Sequence, residues 1–439
     1  MASLVAILIL VTPILFSQLV NSVPHISEDE GGCTGPTILP NQPFVVVWNV
    51  PSGVCDAHGI KLNFSHYGMV TNKNDVFRGE MMTIFYGIGD FPSISGSHLN
   101  NGGVPQHGNL TLHLSKASEE IEDLIPDTSF EGLGVLDFEA WRPIFQTNFD
   151  SLAKYQQLSI ELVKQLHPDW TNKTQIYNEA VKEFNEGAKK FFQSTLEVAE
   201  KLRPGGHWGY YGFPACRGVD PKTNVCGNEQ LENDNLSWLW EQSTAVYPRI
   251  YTVVGEKIDL REKEVEHVVN ETLRMKAKYM SPGRLVLPYT LVQNGGTYFF
   301  DEADLGVAIK VPGDIGSSGV VIWGSNNQFH ERGECVLLQT YLDFILGPYV
   351  LQLTNFYTSC SKTKCSGHGR CINQKYELLY QKYLHQYGCP YCKKNWKEIK
   401  QMEEKLKHNY SKKSKFDVDD YVCSCYAGWK GNKCNIKAK

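Results

Sequence analysis

The chain has 439 residues, of which 42% are hydrophobic and 21% are charged, and its formal net charge at pH 7 is −5. This composition is typical of a globular protein, and the length is ample for a large core. Such a length suggests two or three domains, although an α/β barrel can use over about 300 residues as one domain. The acidic balance argues against a general nucleic-acid-binding protein, so no nucleic-acid partner is expected.

The chain begins with 22 residues that carry no charge. An apolar run from Leu4 to Leu19 is followed by short residues that fit a cleavage site before Val23. We therefore predict a secretory signal peptide at residues 1–22 and an N-terminal segment at 23–40, with a non-cleaved anchor as the alternative. No second long apolar stretch follows and the C-terminus is polar, so we expect no membrane anchor.

Cysteines and sequons also indicate the secretory route. The chain has 13 cysteines, and in that compartment paired cysteines are expected to form disulfides rather than zinc sites. Six N-glycosylation sequons are present, more than chance favours. The candidate glycan sites are Asn63, Asn109, Asn172, Asn235, Asn270 and Asn409.

Apolar, β-branched runs alternate with amphipathic stretches along the first three quarters of the chain. The predicted strands are 44–50, 81–87, 132–141, 207–213, 249–254, 284–290 and 318–324, and helical spacing is found over 151–166, 176–202 and 261–280. Alternating strands and helices predict a parallel sheet of the α/β class. We expect a distorted (β/α) TIM-like barrel rather than an open doubly wound sheet, because no glycine-rich phosphate loop follows the first strand.

Polar or aromatic residues stand at the ends of these strands, where barrel enzymes build their sites. They are Asn49, Tyr86, Asp137 with Glu139, Tyr211, Tyr289, Trp323 and Ser325. For several of the aromatic residues, packing inside the barrel is the alternative interpretation. Tyr211 and Tyr289 could donate hydrogen bonds to a sugar, and Trp323 could supply an apolar wall.

The acid pair is the strongest catalytic signal. Because side chains alternate along a strand, Val135, Asp137 and Glu139 share one face, with the two acidic Cα atoms about 6.5–7 Å apart. Two close carboxylates resist ionising together, so a proton is held on the pair and a general acid becomes available for glycoside hydrolysis. A buried acid pair tied to Arg142 is the structural alternative.

The position of the acids on one strand constrains the mechanism. The usual glycosidase has its second carboxylate across the sugar ring from the first. Asp137 lies on the same side as Glu139 and is poorly placed as a nucleophile, so an N-acetyl group of the substrate could attack instead, positioned by Asp137. No serine-hydrolase, zinc-protease or phosphate-loop motif competes, and we expect neither a cofactor nor a metal.

Several runs in order along the chain resemble the hyaluronidases of glycoside hydrolase family 56 over about residues 41–439. These runs are "PFVVVWNVPSGVC", "GVLDFEAWRPIF", "HWGYYGFPAC", "NDNLSWLWEQSTAVYPRIY", "VLPYT", "VVIWGS" and "CVLLQTYLDFILGPYV". The resemblance implies a barrel with a long groove that hydrolyses β-1,4 bonds between N-acetylglucosamine and glucuronate. Hydrolysis would retain configuration through an oxazolinium intermediate, with hyaluronan as the substrate and chondroitin sulfate as a further candidate.

The resemblance also implies roles for individual residues. Glu139 would be the acid and base, and Asp137 would orient the acetamido group. Tyr211 and Tyr289 match two site tyrosines, and Trp323 matches a tryptophan that closes the acetamido pocket. Tyr86 and Ser325 match groove residues.

The cysteines fit the same family. The implied disulfides are Cys55–Cys335, Cys216–Cys226, Cys360–Cys371, Cys365–Cys423 and Cys425–Cys434, the last three in an epidermal-growth-factor-like (EGF-like) module. Cys33, Cys389 and Cys392 are left over, and "CPYC" at 389–392 is interpreted as a disulfide or two structural thiols. The expected domains are therefore the catalytic barrel at 41–353 and the EGF-like module at 354–439.

Two further expectations concern binding and location. The stretch 393–415 holds nine lysines and could attract a polyanion, although a solvated loop is the simpler interpretation. We expect a secreted, extracellular monomer. A non-catalytic glycosaminoglycan-binding protein and a chitin-type N-acetylhexosaminidase are the alternative functions.

Overall fold

The computed structural model describes residues 35, 37–217, 226–253, 255–294, 298–325, 328–377, 397, 400 and 416–438. The predicted signal peptide at 1–22 lies outside the described residues. So do Cys33, Cys389, Cys392, Asn409 and nearly all of the Lys-rich stretch 393–415.

Short strands and longer helices alternate along the first 350 residues. The strands are β1 Val45–Asn49, β2 Met82–Tyr86, β3 Ser93–Ser95, β4 His98–Asn100, β5 Leu133–Asp137, β6 His207–Tyr210, β7 Ala245–Val246, β8 Leu285–Val286, β9 Tyr289–Thr290, β10 Gln293–Asn294, β11 Tyr298–Phe299, β12 Gly319–Trp323, β13 Gly369–Asn373, β14 Tyr421–Cys425, β15 Trp429–Lys430 and β16 Ile436–Lys437. The α-helices are α1 Leu110–Leu124, α2 Ala153–Leu166, α3 Lys173–Leu202, α4 Glu229–Asn235, α5 Ser237–Gln242, α6 Ile258–Tyr279, α7 Glu302–Leu305, α8 Val311–Ile315, α9 Arg332–Tyr341 and α10 Gly347–Lys364.

The parallel strands form a ring, which is the predicted distorted (β/α) barrel. Regular pairing joins β2 to β5 and β6, β7 to β8, and β9 to β12 and β1. Parallel bridges at Tyr211–Tyr247 and Arg249–Tyr289 link the three groups. Pro288 interrupts the strand between β8 and β9, because proline has no N–H to give to a neighbour.

Two layers of apolar side chains hold the barrel together. Inside it, Val47, Ile84, Val135 and Val321 form a buried cluster. Residues of the opposite parity, such as Leu136, pack outward against the helices. This alternation is what strands buried on both faces require.

One predicted strand was wrong. The sequence predicts a strand over 249–254, but the regular pairing in this region is at β7 and ends with the bridge at Arg249. The neighbouring strand β6 has its last bridge at Tyr211, so the chain beyond Arg249 has no partner on that side. Tyr251 and Thr252 therefore follow the strand as a loop.

The side chain of Asn72 closes the barrel between β1 and β2. Val70 is hydrogen-bonded to β1, from its N–H to the carbonyl of Val46. Two residues later, Asn72 Oδ1 accepts from the N–H groups of Met81 and Met82 at 3.0 and 2.9 Å, and Nδ2 donates to the Met82 carbonyl at 2.9 Å. A buried amide thus replaces strand pairing at this joint.

The C-terminal module packs at the end of the barrel opposite the strand C-termini. Arg370 on β13 is buried and donates to the carbonyls of Pro43, just before β1, and Gly316, just before β12, at 2.7 and 3.2 Å. Helix α10 continues from the barrel into the module and carries Cys360. The proposed boundary at residues 353 and 354 falls inside this helix.

Five disulfides join pairs that the family resemblance implies. They are Cys55–Cys335, Cys216–Cys226, Cys360–Cys371, Cys365–Cys423 and Cys425–Cys434. The first spans 280 residues of the chain and ties the segment after β1 to helix α9. The second connects the loop after β6 to the start of the next helical region.

The sequons differ in exposure. The side chains of Asn63, Asn109 and Asn172 are exposed helix caps that accept N–H groups through Oδ1, which leaves Nδ2 as the attachment point for a glycan. Asn235 is also exposed. Asn270 is buried within α6, at 5% exposed, so the folded chain has no room for a glycan there and the prediction for this sequon is withdrawn.

One continuous helix in the described chain, Arg332–Lys364, is long and apolar enough to cross a membrane by length and composition. It is also the last helix packed on the barrel. Leu338, Leu342, Leu346 and Val350 on it are fully buried in the outer core. This packing accounts for its apolar residues, as in the core helix of a water-exposed domain.

We predict that Asn72→Ala destabilises the barrel. Without the amide, the N–H groups of Met81 and Met82 lose their acceptor and the carbonyl of Val76 loses a donor, whereas the carbonyl of Met82 keeps the N–H of Gly79. Each buried group left unpaired costs about 1–3 kcal/mol. With partial relaxation we expect the free energy of unfolding to fall by about 2–4 kcal/mol. Denaturant titration with intact disulfides measures this. Gln165→Ala, on the exposed face of α2, is the control; equal midpoints for the two variants would contradict the bridging role.

Candidate active site

The two acids stand where the paired part of the barrel ends. Asp137 is the last residue of β5 and lies opposite Tyr86 of β2. Val135, two residues earlier, packs inside the barrel, whereas Phe138 packs in the outer layer. Glu139 follows on the connecting loop and is exposed. The expected alternation therefore directs Asp137 toward the barrel axis, with Glu139 beside the opening.

The carboxyl group of Asp137 has a raised pKa. Burial, with a further contribution from the negative charge of Glu139, raises the pKa of Asp137 from 3.8 to about 7. The coupling is through charge, and no hydrogen bond between the two carboxyl groups contributes among the described residues. At mildly acidic pH the proton therefore resides on Asp137, because its carboxylate is poorly solvated and faces a second anion.

Four aromatic side chains contact one another at the neighbouring strand ends, and one of them, Tyr86, lies opposite Asp137. Trp323 Nε1 donates to Tyr86 Oη at 2.8 Å. The rings of Tyr251 and Trp323 are stacked with centroids 6.3 Å apart, and the rings of Tyr251 and Tyr211 are 6.4 Å apart. The charge of Asp137 contributes to the raised pKa values of all three tyrosines, after burial. The aromatic wall and the carboxyl group thus belong to one site.

Tyr251 is the site residue that the sequence prediction missed. It follows β7 and contacts Tyr211 and Trp323, two of the predicted site residues. Burial raises the pKa of Tyr211 to about 12, although a hydrogen bond with Tyr251 lowers it. The run "RIYTVV" contains the signal, but we predicted a strand there and assigned no residue from its end.

Tyr289 was predicted to bind the substrate at a strand end, but it lies inside the barrel. Its side chain is fully buried in the barrel interior, with its ring 5.0 Å from that of Tyr211. Its hydroxyl group has no hydrogen-bond partner. A buried ring below Tyr211 does not support direct contact with a substrate, so the predicted binding role of Tyr289 is replaced by a packing contact beneath the site.

Ser325 and Asn49 lie near the same rim. Ser325 is two residues beyond Trp323 and partly buried, and its carbonyl accepts from Gln328 N at 3.3 Å. It is not among the residues that line the cavity described next. Asn49 pairs opposite Trp323 and is buried, with Nδ2 donating to the carbonyl of Phe77 at 3.0 Å. Asn49 therefore supports the rim rather than facing outward.

A cavity of about 860 Å³ opens beside Glu139. It runs over the ends of β5, β6 and β7 toward helix α6, past Tyr211 and Tyr251. Its charged lining residues are Glu139, Arg142, Arg217, Glu232, Arg249, Glu256, Lys263 and Glu264. A volume of this size accommodates several sugar rings rather than one small molecule.

The arrangement provides the parts for acid-assisted cleavage of a sugar linkage. Glu139 is accessible at the cavity and could exchange a proton with a bound oxygen. Asp137 is not among the residues that line the cavity. It is partly buried, can hold a proton, and lies at a strand end beside aromatic rings that could pack on a sugar face. The described residues contain no group of three or more His, Cys, Asp or Glu side chains placed to hold a metal ion.

The family profile and the sequence relatives that match this chain are all hyaluronidases. The sequence profile of the hyaluronidase family, Glyco_hydro_56, matches residues 33–438. A hyaluronidase of Conus purpurascens, conohyal-P1, is 35% identical over 90% of this chain and 81% of its own length. Human hyaluronidase-1 is 37% identical over 78% of this chain and 81% of its own.

Solved structures agree with the sequence relatives. The crystal structure of bee venom hyaluronidase matches with a TM-score of 0.65 and 37% identity, over 70% of this chain and 99% of that one. A second bee venom structure, in complex with a hyaluronic acid tetramer, matches with a TM-score of 0.67 and 36% identity, over 71% and 99% of the two chains.

The raised pKa of Asp137 predicts a pH-dependent stability. The folded state favours the protonated carboxyl, so this stabilisation is complete below about pH 4 and is lost as the pH rises through about 7. Asp137→Asn removes the charge. Between pH 4 and pH 8 it should gain roughly 1–3 kcal/mol relative to the wild type, allowing for partial solvent access.

Denaturant unfolding at several pH values measures this difference. Asp123→Asn, at an exposed position on α1, is the matched control, and its difference from the wild type should not vary with pH. The same pH-independence for Asp137→Asn would show that the carboxyl is not held in its protonated form by the fold.

Proposed function

Because this chain belongs to the hyaluronidase family of glycoside hydrolases, we propose that it cleaves hyaluronan within the polymer, at the β-1,4 bonds between N-acetylglucosamine and glucuronate. The chain is a glycoside hydrolase, a hyaluronoglucosaminidase. The proposal about the bond and its cleavage rests on the position of Asp137 and Glu139. Both acids lie at the end of one strand and on one side of the site, beside the stacked aromatic rings. The bee venom relative that was crystallised with a hyaluronic acid tetramer supports the substrate.

The placement of the acids favours help from the substrate. A nucleophile must attack the anomeric carbon from the face opposite the leaving oxygen. Asp137 is two residues from Glu139 and on the same side of the site, so it cannot fill that role for a bond that Glu139 protonates. We propose that the carbonyl oxygen of the substrate's acetamido group attacks, and that configuration is retained after water opens the resulting oxazolinium ring.

Each acid then has a separate task. When the substrate binds, Asp137 ionises and the proton of the pair passes to Glu139, which is exposed at the cavity. Glu139 donates this proton to the leaving oxygen and afterwards removes a proton from the attacking water. Asp137 accepts the N–H of the acetamido group and orients its carbonyl. Positive charge develops on that nitrogen as the ring forms, and this charge favours the ionised form of Asp137. Its pKa is therefore expected to fall in the complex.

The aromatic residues shape the subsite. Tyr251 and Trp323 are stacked on each other, and Tyr86 holds Trp323 by a hydrogen bond. We propose that these rings enclose the acetamido group and exclude water from it. Chondroitin has the same acetamido group with one ring hydroxyl inverted, and is therefore a candidate second substrate.

Secretion and domain organisation concern the whole chain. We propose a secreted, extracellular monomer that loses residues 1–22, with the catalytic barrel at 41–353 and the EGF-like module at 354–439. Five disulfides in the described residues suit an oxidising compartment. The contacts of Arg370 with barrel carbonyls support a structural role for the module.

We predict that Glu139→Gln lowers the rate of hyaluronan cleavage by on the order of 10³-fold or more, because the amide cannot donate the proton. Release of reducing ends from hyaluronan measures the rate. The thermal midpoint should stay near the wild-type value, since the side chain is exposed. Glu264→Gln, in the same cavity but on α6, should stay within a few-fold of wild type. A Glu139→Gln variant with similar activity would exclude Glu139 as the acid.

Substrate assistance predicts a second result. Hyaluronan whose N-acetyl groups have been removed should be cleaved on the order of 10²-fold more slowly, or not at all, because the internal nucleophile is gone. With intact hyaluronan, proton NMR should show the β-anomer of the new reducing end first. Comparable cleavage of both polymers, or an initial α-anomer, would disprove attack by the acetamido group.

A further inference from the structure

Arg249 is a cation in the cavity that the proposed mechanism does not use. It follows β7 and its backbone is bridged to Tyr289 of β9. Its side chain is exposed and lines the same cavity as Glu139 and Tyr211. The guanidinium carbon lies 5.8 Å from the centre of the Tyr251 ring. A positive charge is therefore held against the aromatic wall of the subsite.

The other arginines of the cavity are already engaged. Arg217 is paired with Glu229 at 2.5 Å and with Glu232 at 3.1 Å. Arg142 donates to the carbonyl of Thr147 at 2.5 Å. Arg249 makes no hydrogen bond or ion pair within the described chain, where its contact is with the Tyr251 ring. Its five N–H donors remain available to a ligand.

The carboxylates that line the cavity indicate what the Arg249 side chain could do. Four carboxylates line the cavity, and Arg217 is already paired with one of them, Glu232. An anionic polymer that enters would be repelled unless cations compensate. Arg249 is close enough to Tyr211 and Tyr251 that its charge lowers the pKa of both phenols, against the larger effect of burial. Its charge therefore reaches the site of cleavage.

We propose that Arg249 binds the carboxylate of the glucuronate next to the N-acetylglucosamine whose bond is cut, and so selects a polyuronate chain over a neutral one. This rests on the proposed function, since hyaluronan alternates the two sugars and every bound N-acetylglucosamine has a uronate neighbour. A guanidinium donates two parallel hydrogen bonds to the oxygens of a carboxylate, and the Tyr251 ring packs beside it. A neutral chitin chain offers no such partner.

The test compares hyaluronan with hyaluronan whose carboxyl groups have been converted to amides. On hyaluronan, Arg249→Gln should raise KM about 10–30-fold with kcat within about threefold of the wild type, because the lost contact is to a sugar beside the reacting bond. On the amidated polymer the two proteins should have equal KM values. Arg249→Lys keeps the charge but loses the bidentate pair, so its KM on hyaluronan should lie between those of the wild type and Arg249→Gln.

Two controls separate binding from folding and from general charge. The thermal midpoint of Arg249→Gln should equal that of the wild type. Lys164→Gln removes one positive charge from the exposed face of α2, outside the cavity, and should change KM less than threefold. Equal KM values for Arg249→Gln and wild type on hyaluronan, or an equal rise on both polymers, would overturn the role of Arg249. A wild-type protein that cleaves neither polymer would instead overturn the proposed function, and with it this inference.

Discussion

The barrel places the carboxyl group of Asp137 where ionisation is unfavourable, and the chemistry of the site depends on this constraint. The inner face of β5 is apolar up to Val135, so the next inward side chain meets little water. Glu139 adds a second negative charge two residues later, and the pKa of Asp137 rises to about 7. The fold thus spends stability at neutral pH to keep a carboxyl that can change its charge when a cation forms beside it.

The rest of the molecule keeps this strand end fixed. Pairing with β6 stops at Leu136 and pairing with β2 at Asp137, so the chain turns away and exposes Glu139. Asn72 joins β1 to β2 where strand pairing is absent. At the opposite end, Arg370 connects the C-terminal module to the residues before β1 and β12. Asn72 and Arg370 thus fix the end away from the opening, whereas the Cys216–Cys226 disulfide fixes a loop at the cavity itself.

Much of the site could be read from sequence, because its signals are local. Period-two alternation placed Asp137 and Glu139 on one face, and the same-side argument needs no tertiary information. Tyr251 and Tyr289 show the limit. Both follow apolar runs, and only the strand register decides that one reaches the cavity while the other is buried beneath Tyr211. The predicted glycan site at Asn270 shows the same limit, because a sequon does not reveal which face of a helix is buried.

Selection of an alternating polymer requires two contacts one sugar apart. The acetamido pocket alone would accept any chain of N-acetylhexosamines, because every such sugar offers the same group. A cation alone would bind any polyanion and would not determine which bond of the chain lies at the acids. Arg249 lies against Tyr251, which is itself stacked on Trp323, so the charged and aromatic contacts share one rigid wall. In the proposed binding mode this contact sets the register, because a carboxylate on the guanidinium brings the neighbouring acetamido group toward Asp137. A chain with net charge −5 can therefore act on a polyanion, since recognition depends on where its few unpaired cations stand.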